Sequence, residues 1–320
     1  MSLSRRAFAS AGAAAVASLA LPAVTRAEPA KTRLIILGSL AGPSVGAARR
    51  QASNLLVHGE DAYVIDCGYG STEQFVRAKA APFGAIRDVF ITHHHPDHNI
   101  ELGTLVYFAW YAGLERPLGL YGPPPLQRIW DGYRQAIQPD VDVWLGDIGH
   151  KPLPPIAVHE IAAAGRVMQD ANVRVTSTVV HHPPVVPALA YRFDFPDRSI
   201  VFSGDTTPSD NLIALARGAD VLVHEAIYAQ AIALRASGAP VDNSGGSPIG
   251  GDEAKIRAHV LGSHTTAEQA GQVAAAAGVK TLVLSHLAPG GPEITDEMWR
   301  SAAAKAFKGE IIVARDLMEI

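Results

Sequence analysis

Ile91-Thr-His-His-His-Pro-Asp-His-Asn99 sets four of the chain's thirteen histidines and one aspartate within six residues, directly behind the apolar run Arg87-Asp-Val-Phe-Ile91. A strand that runs into such a cluster carries polar side chains to the edge of a core. Imidazoles and carboxylates taken out of water have to be paired, neutralised or bound to a metal. On an extended or turning segment His93 and His95 can converge on one point, while Asp97 and His98 address a second point nearby. One loop can therefore feed two metal ions, and the ligands still missing must come from elsewhere in the chain.

Other strand ends supply them. Short apolar, β-branched runs end in a polar residue at Asp66 (AYVID), His93 (VFITH), His182 (VRVTSTVVHH), Asp205 (SIVFSGD), Glu225 (DVLVHE) and His286 (TLVLSH). Helical patterns such as TEQFVRAKA and AEQAGQVAAAAG lie between several of them, which predicts packed sheets with helices outside. In such architectures sites assemble beyond the carboxyl ends of strands. His182 would complete the first metal position, His286 the second, and the Asp205 carboxylate would bridge both. Neighbouring strand residues point to opposite faces, so only one of His181 and His182 can reach the site. His94, between the ligands, reads as a wall or surface residue, and His58, His150, His159 and His259 read as ordinary histidines. Thr265-Thr-Ala-Glu268 fits a capping box with Thr265 as N-cap, and Gly278 is placed to end that helix. The Gly/Ser/Pro loop 238–252 reads as a surface loop or a mobile lid.

These motifs resemble the metallo-β-lactamase superfamily, whose mark is an HxHxDH loop followed by His, Asp and His ligands in that order. The nearest branch is that of ribonuclease Z and the related zinc arylsulfatase and phosphodiesterase-like proteins. The residues that carry the likeness are LGSLAGP at 37–43, VIDCG at 64–68, THHHPDHN, GDT at 204–206, VHEAIY at 223–228, SHTTAEQA at 263–270 and LVLSH at 282–286. The resemblance implies a four-layer αββα sandwich. It also implies a binuclear centre of two zinc ions, with manganese or iron as alternatives, held by His93, His95, Asp97, His98, His182, Asp205 and His286. It favours His182 over His181 and makes Asp66 the hydrogen-bond partner that orients a metal histidine; Cys67 beside it reads as an inert buried thiol. A hydroxide between the ions would be the nucleophile, oriented by Asp97, and His264, supported by Glu225, would protonate the leaving group. Asp205 stands where penicillin-cleaving members lack a carboxylate, which turns the expectation toward esters.

The N-terminus reads separately. Ser4-Arg5-Arg6-Ala7-Phe8 is a twin-arginine signature, followed by an Ala/Gly-rich apolar stretch and a small-residue cleavage pattern ending at Ala27. Residues 1–27 are expected to be removed on export to the periplasm, leaving 28–320 as one hydrolase domain. The apolar stretch is short of the roughly 20 residues a bilayer span needs, so no membrane span is expected in the mature chain. Removing Arg5, Arg6 and Arg26 leaves 24 basic against 31 acidic residues, a formal charge of −7. Residues 123–170 carry more acidic than basic side chains and offer no basic arm. Both observations make a nucleic-acid partner unlikely. Trp110, Tyr111, Trp130, Tyr133 and Trp144 are candidates for lining an aryl pocket, although core packing is the commoner fate of such side chains. The expectation is an exported binuclear hydrolase of a small ester, a phosphodiester or aryl sulfate. The alternatives are a lactone hydrolase and a zinc-binding protein without turnover, and a homodimer is left open.

Overall fold

Alternation along the strands sorts the apolar side chains into three buried layers. On β1 (Arg33–Gly38), Leu34 and Ile36 face one layer while Ile35 and Leu37 face another. The same splitting runs through β2 (Ser53–His58), β3 (Asp61–Ile65) and β4 (Ile86–Phe90). It recurs on the far side in β10 (Ser199–Phe202), β11 (Val221–Ile227) and β12 (Thr281–Ala288). A sheet with two apolar faces must be covered on both.

The computed structural model describes residues 31–46, 48–235, 252–292 and 294–320, and Lys31–Ile320 form one unit. The expected leader at 1–27 and the segment 238–252, read as a loop from sequence, lie outside the described residues apart from Asp252. Among those described, a six-stranded sheet runs β1-β2-β3-β4-β5-β6, with β5 at Leu118–Gly122 and β6 at Ile156–Glu160. A seven-stranded sheet runs β13-β12-β11-β10-β9-β8-β7, with β7 at Gly165–Gln169, β8 at Arg174–His182, β9 at Val185–Asp194 and β13 at Glu310–Val313. Each sheet is antiparallel at one side and parallel at the other.

The middle layer packs sheet on sheet, with Phe90 against Tyr191 and Phe193 at ring-centroid distances of 5.6 and 4.9 Å. The outer face of the first sheet is covered by α1 (Ser71–Ala78), α3 (Leu102–Tyr111) and α4 (Leu126–Val143). That of the second is covered by α5 (Asp210–Ala216), α8 (Ala267–Ala277) and α9 (Asp296–Ala303). The order is helix, sheet, sheet, helix, the expected αββα sandwich.

Two expectations are corrected by packing. The α8 capping box is shifted by one residue: Thr266 is the N-cap and Gln269 its partner. Thr265 is buried and donates its hydroxyl to the Thr206 carbonyl, and Glu268 instead pairs with Lys305 at 2.8 Å, so neither is left to cap. The helix ends at Gly278 in the left-handed conformation, as its position implied. The aryl-pocket reading also gives way at Trp110 and Trp130, the two of its five residues that are buried. Trp110 and Trp130 are core residues between the first sheet and its helices, with the Trp110 indole donating to the Lys151 carbonyl at 2.8 Å. No described helix is long and apolar enough to cross a membrane.

Candidate metal centre

The histidine-rich turn leaves the end of β4 and closes as the short helix α2 (Pro96–Asn99), whose first residue, a proline, needs no amide partner. It is tied down from below, since the Cys67 amide donates to the His98 carbonyl at 2.6 Å and the Glu101 amide to the Cys67 carbonyl at 2.9 Å. His182 ends β8, where His181 turns outward and His182 inward. Asp205 follows β10, Glu225 lies within β11, and His286 lies near the end of β12. All meet at one edge of the sandwich, where both sheets present strand ends.

Among the described residues three groups of donors form there, with His93, His95, His182 and Asp205 in one, Asp97, His98 and His286 in a second, and Asp205, His264 and His286 in a third that shares a residue with each. In the first, His95 Nδ1 lies 3.0 Å from His93 Nε2 and 3.2 Å from His182 Nε2. Asp205 Oδ2 lies 3.8 Å from His93 Nε2 and 3.9 Å from His182 Nε2. In the second, Asp97 Oδ2 is 3.2 Å from His286 Nε2 and 3.5 Å from His98 Nε2. Asp205 closes this group as well, with Oδ1 at 3.3 Å from His98 Nε2 and Oδ2 at 3.4 Å from His286 Nε2. Ligands about 2.0–2.1 Å from one tetrahedral ion sit roughly 3.3 Å from each other. The donor atoms, at 3.0–3.9 Å from one another, bracket that spacing, and three imidazole nitrogens converging on one point could hold a cation between them. His98 Nε2 and Asp205 Oδ1 are buried with no hydrogen-bond partner, which fits the same reading.

The surroundings fix which nitrogen faces inward. His98 Nδ1 is 2.8 Å from Asp66 Oδ2, and Asp66 in turn accepts from the Thr92 amide and hydroxyl at 2.8 and 2.9 Å. His182 Nδ1 donates to the Ser263 carbonyl at 2.9 Å. Both rings therefore present Nε2 to the centre. Burial, reinforced by the neighbouring histidines, pushes His93 well below its ordinary range, leaving it a neutral donor. Burial and its histidine neighbours hold His182 down at about 4. Burial would lower His98 too, but the Asp205, Asp66 and Asp97 carboxylates more than reverse this. Burial would raise Asp97 and Asp205, and the surrounding histidines hold both far below the usual carboxylate range.

His264 stands beside this centre at the junction of α7 (Glu253–Ser263) and α8. Its Nδ1 lies 3.0–3.1 Å from the Glu225 carboxylate, whose Oε1 also accepts the Thr206 amide at 2.7 Å. Burial lowers its affinity for a proton, but Glu225 and then Asp205 outweigh it and raise His264 to about 9. Two further contributors were given no role from the sequence, although Gly42 lies within LGSLAGP. Gly42 donates its amide to Asp97 Oδ2 at 2.7 Å, and His259 on α7 stands with its ring centroid 6.4–6.5 Å from His95, His182 and His264. His94 lies outside both groups, with its Nε2 2.6 Å from the Pro123 carbonyl and its Nδ1 3.0 Å from the Asn99 amide. Cys67 is buried, and burial raises its thiol well above the ordinary value.

Residues 62–287 match the Beta-lactamase superfamily domain. A protein named ribonuclease Z from Mycobacterium bovis is 32% identical over 281 residues, covering 85% of this chain and 92% of that protein. Among solved structures, the metallo-β-lactamase fold protein YhfI from Bacillus subtilis aligns with a TM-score of 0.65 at 19% identity, covering 90% of this chain and 98% of that one. The short form of human tRNase Z aligns with a TM-score of 0.63 at 20% identity, with the same coverage. These relatives overturn the charge-based expectation against a nucleic-acid partner, and with it the restriction to a small ester. Net charge governs loose surface association, whereas a scissile phosphate is met by the donors inside a cleft. The chain belongs to the metallo-β-lactamase superfamily, in the family of the ribonuclease Z proteins with which it aligns along most of its length.

Proposed function

We propose that the protein is an exported, zinc-dependent phosphodiesterase that cleaves RNA. The observation that carries this is the position of the His264–Glu225 pair beside two donor groups that share Asp205. Its relatives' name supports the choice of phosphodiester and of RNA. The twin-arginine leader supports export, so the RNA would be met outside the cytoplasm.

His93, His95, His182 and Asp205 would hold one ion and Asp97, His98, His286 and Asp205 the other, a nitrogen and oxygen donor set suited to zinc. Bound zinc supplies water activation at neutral pH and positive charge toward the phosphoryl oxygens. The chain's own residues do the rest. Asp66 and Ser263 orient His98 and His182. Asp97 presents a carboxylate oxygen whose position is set by the Gly42 amide. His264, with Nδ1 engaged by Glu225, keeps Nε2 free to deliver a proton to the leaving oxygen as the phosphorus–oxygen bond breaks. A histidine whose Nδ1 is held by a buried carboxylate is placed for general acid catalysis.

The test joins metal analysis of the purified protein to kinetics with bis-(p-nitrophenyl) phosphate and a short RNA. Turnover of both is expected, with His264→Ala losing roughly 10²–10⁴-fold in kcat at unchanged metal content. Metal-loaded protein that cleaves neither substrate refutes the reading.

A further inference from the structure

Tyr69 is 46% exposed on the turn that follows β3. Other exposed aromatic rings rest on neighbours, Phe108 on Tyr107 at a centroid distance of 5.4 Å and Tyr111 on Trp144 at 4.8 Å. Tyr69 has no ring contact among the described residues. A single exposed apolar side chain is ordinary on a protein surface. What sets this one apart is how its backbone is held, and beside what.

The Tyr69 amide donates to Gln51 Oε1 at 3.0 Å, and the Gln51 amide donates to the Tyr69 carbonyl at 3.1 Å. On either side, the Gly68 amide donates to the Ala52 carbonyl at 3.0 Å and the Gly70 amide to Glu101 Oε1 at 2.6 Å. The turn is therefore fixed, and it abuts the centre: a Cβ built on Gly68 would lie 2.1 Å from the Asp97 carbonyl oxygen. Gln51 is buried and reaches the other way as well, donating through Nε2 to the Pro43 and Ser44 carbonyls at 3.2 and 3.1 Å. In that second segment Gly42 donates its amide to Asp97 Oδ2 at 2.7 Å. Asp97 is thus touched from both flanks, and Gln51 spans them. The exposed members of the strip so formed include Pro43, Val45 and Tyr69, all with apolar surface to offer.

We propose that Tyr69 stacks on the nucleobase next to the scissile phosphate and so selects nucleotide-bearing phosphodiesters over alkyl ones. The inference rests on the RNA reading above and adds the residue that meets the base, as distinct from the phosphate. Every base has a π-face, so a ring already held in place recognises nucleic acid without demanding one sequence. Only two side-chain torsions have to be fixed when the base arrives. Stacking also draws nothing from long-range charge, which suits a chain with 31 acidic against 27 basic residues. Its loss is felt in substrate binding more than in the chemical step.

The experiment compares wild type, Tyr69→Ala and Tyr69→Phe at equal metal content. Kinetics are measured with thymidine 5′-(p-nitrophenyl phosphate) and methyl p-nitrophenyl phosphate, which share a leaving group and differ in the base. Binding is measured with an uncleavable 2′-O-methyl RNA oligomer carrying 2-aminopurine at each position in turn, whose fluorescence is quenched when that base stacks. Wild type is expected to prefer the thymidine ester and to quench one position. In Tyr69→Ala the ratio of kcat/KM between the two esters should fall roughly tenfold or more, chiefly through KM, with the quenching lost. Tyr69→Phe keeps the ring and should keep both. An unchanged ratio in Tyr69→Ala, an equal loss on both esters, or a loss in Tyr69→Phe as large as in Tyr69→Ala overturns the assignment while leaving the enzyme reading intact. Wild type that neither cleaves the esters nor binds the oligomer overturns both.

Discussion

Asp66 and His286 both adopt the left-handed backbone region, at φ of 61° and 47°, where side chains other than glycine are uncommon. Such conformations persist when surrounding contacts over-determine them, and they concentrate where function needs a side chain re-aimed. Here each turns a strand end so that a carboxylate or an imidazole faces the centre. Gly42 makes the complementary contribution, because a Cβ built on it would lie 2.2 Å from Asp97 Cβ and 2.5 Å from Asp97 Oδ2. Gly42→Ala is therefore expected to displace Asp97 and to empty the Asp97–His98–His286 position first. Activity should fall roughly 10–100-fold, the usual cost of disturbing a ligand's support. Metal analysis should find about half the wild-type content, and full metal content at wild-type activity would refute this account of Gly42.

At the scale of an element, β4 is paired on both sides, with Asp88 opposite Tyr63 on β3 and Gly119 on β5. Burial pushes the Asp88 carboxyl up to about 6, Asp170 adds to the rise, and Arg87, the Gly119 amide and Arg116 oppose it. The folded state thus holds this proton more tightly than the unfolded chain does. The stability linked to Asp88 is full below about pH 4 and is lost as pH rises toward 6. Asp88→Asn keeps an acceptor for the Gly119 amide and removes the charge. It should stabilise the fold by about 2 kcal/mol at pH 7 and have no effect at pH 4, as read from denaturant midpoints. A variant destabilised at pH 7 would mean that the ion pairing of Asp88 outweighs its burial. The displaced α8 cap belongs to the same scale: two adjacent threonines offer the same hydroxyl, and burial of Thr265 between β11 and α8 decides which of them caps.

At the scale of the whole molecule, the centre joins both halves of the sandwich. Four of its candidate ligands sit on the turn and helix after β4 of the first sheet, and His182, Asp205 and His286 come from the second. Ions held between them bind the folded chain and not the unfolded one, so removing them should lower the melting temperature. For an ion present at about 100 times its Kd the linkage is about 2.7 kcal/mol, or roughly 5–10 °C for a domain of this size. Calorimetry before and after dialysis against a chelator, with zinc added back, measures it. A melting temperature indifferent to both treatments would remove the metal reading.

Packed sheets with helices outside, and the gathering of polar residues at strand ends, were legible in the chain, because period-two alternation and the types of residue that end each strand are local properties; the four-layer αββα order came only from the likeness to the superfamily. His182 could be preferred over His181 only through a family pattern, and the structure separates them by strand facing alone. Net charge misled, because it averages over a surface and records nothing of the few donors gathered at one edge. Trp110 and Trp130 could not be told from pocket residues, since an aromatic side chain looks the same in sequence whether a helix or a ligand covers it. Sequence by itself determined which polar residues gather at strand ends and roughly which element each one ends. Only the tertiary structure decided that Gly42, Ser263 and His259 belong to the same edge, because their roles rest on distances across dozens to hundreds of residues that no local pattern records.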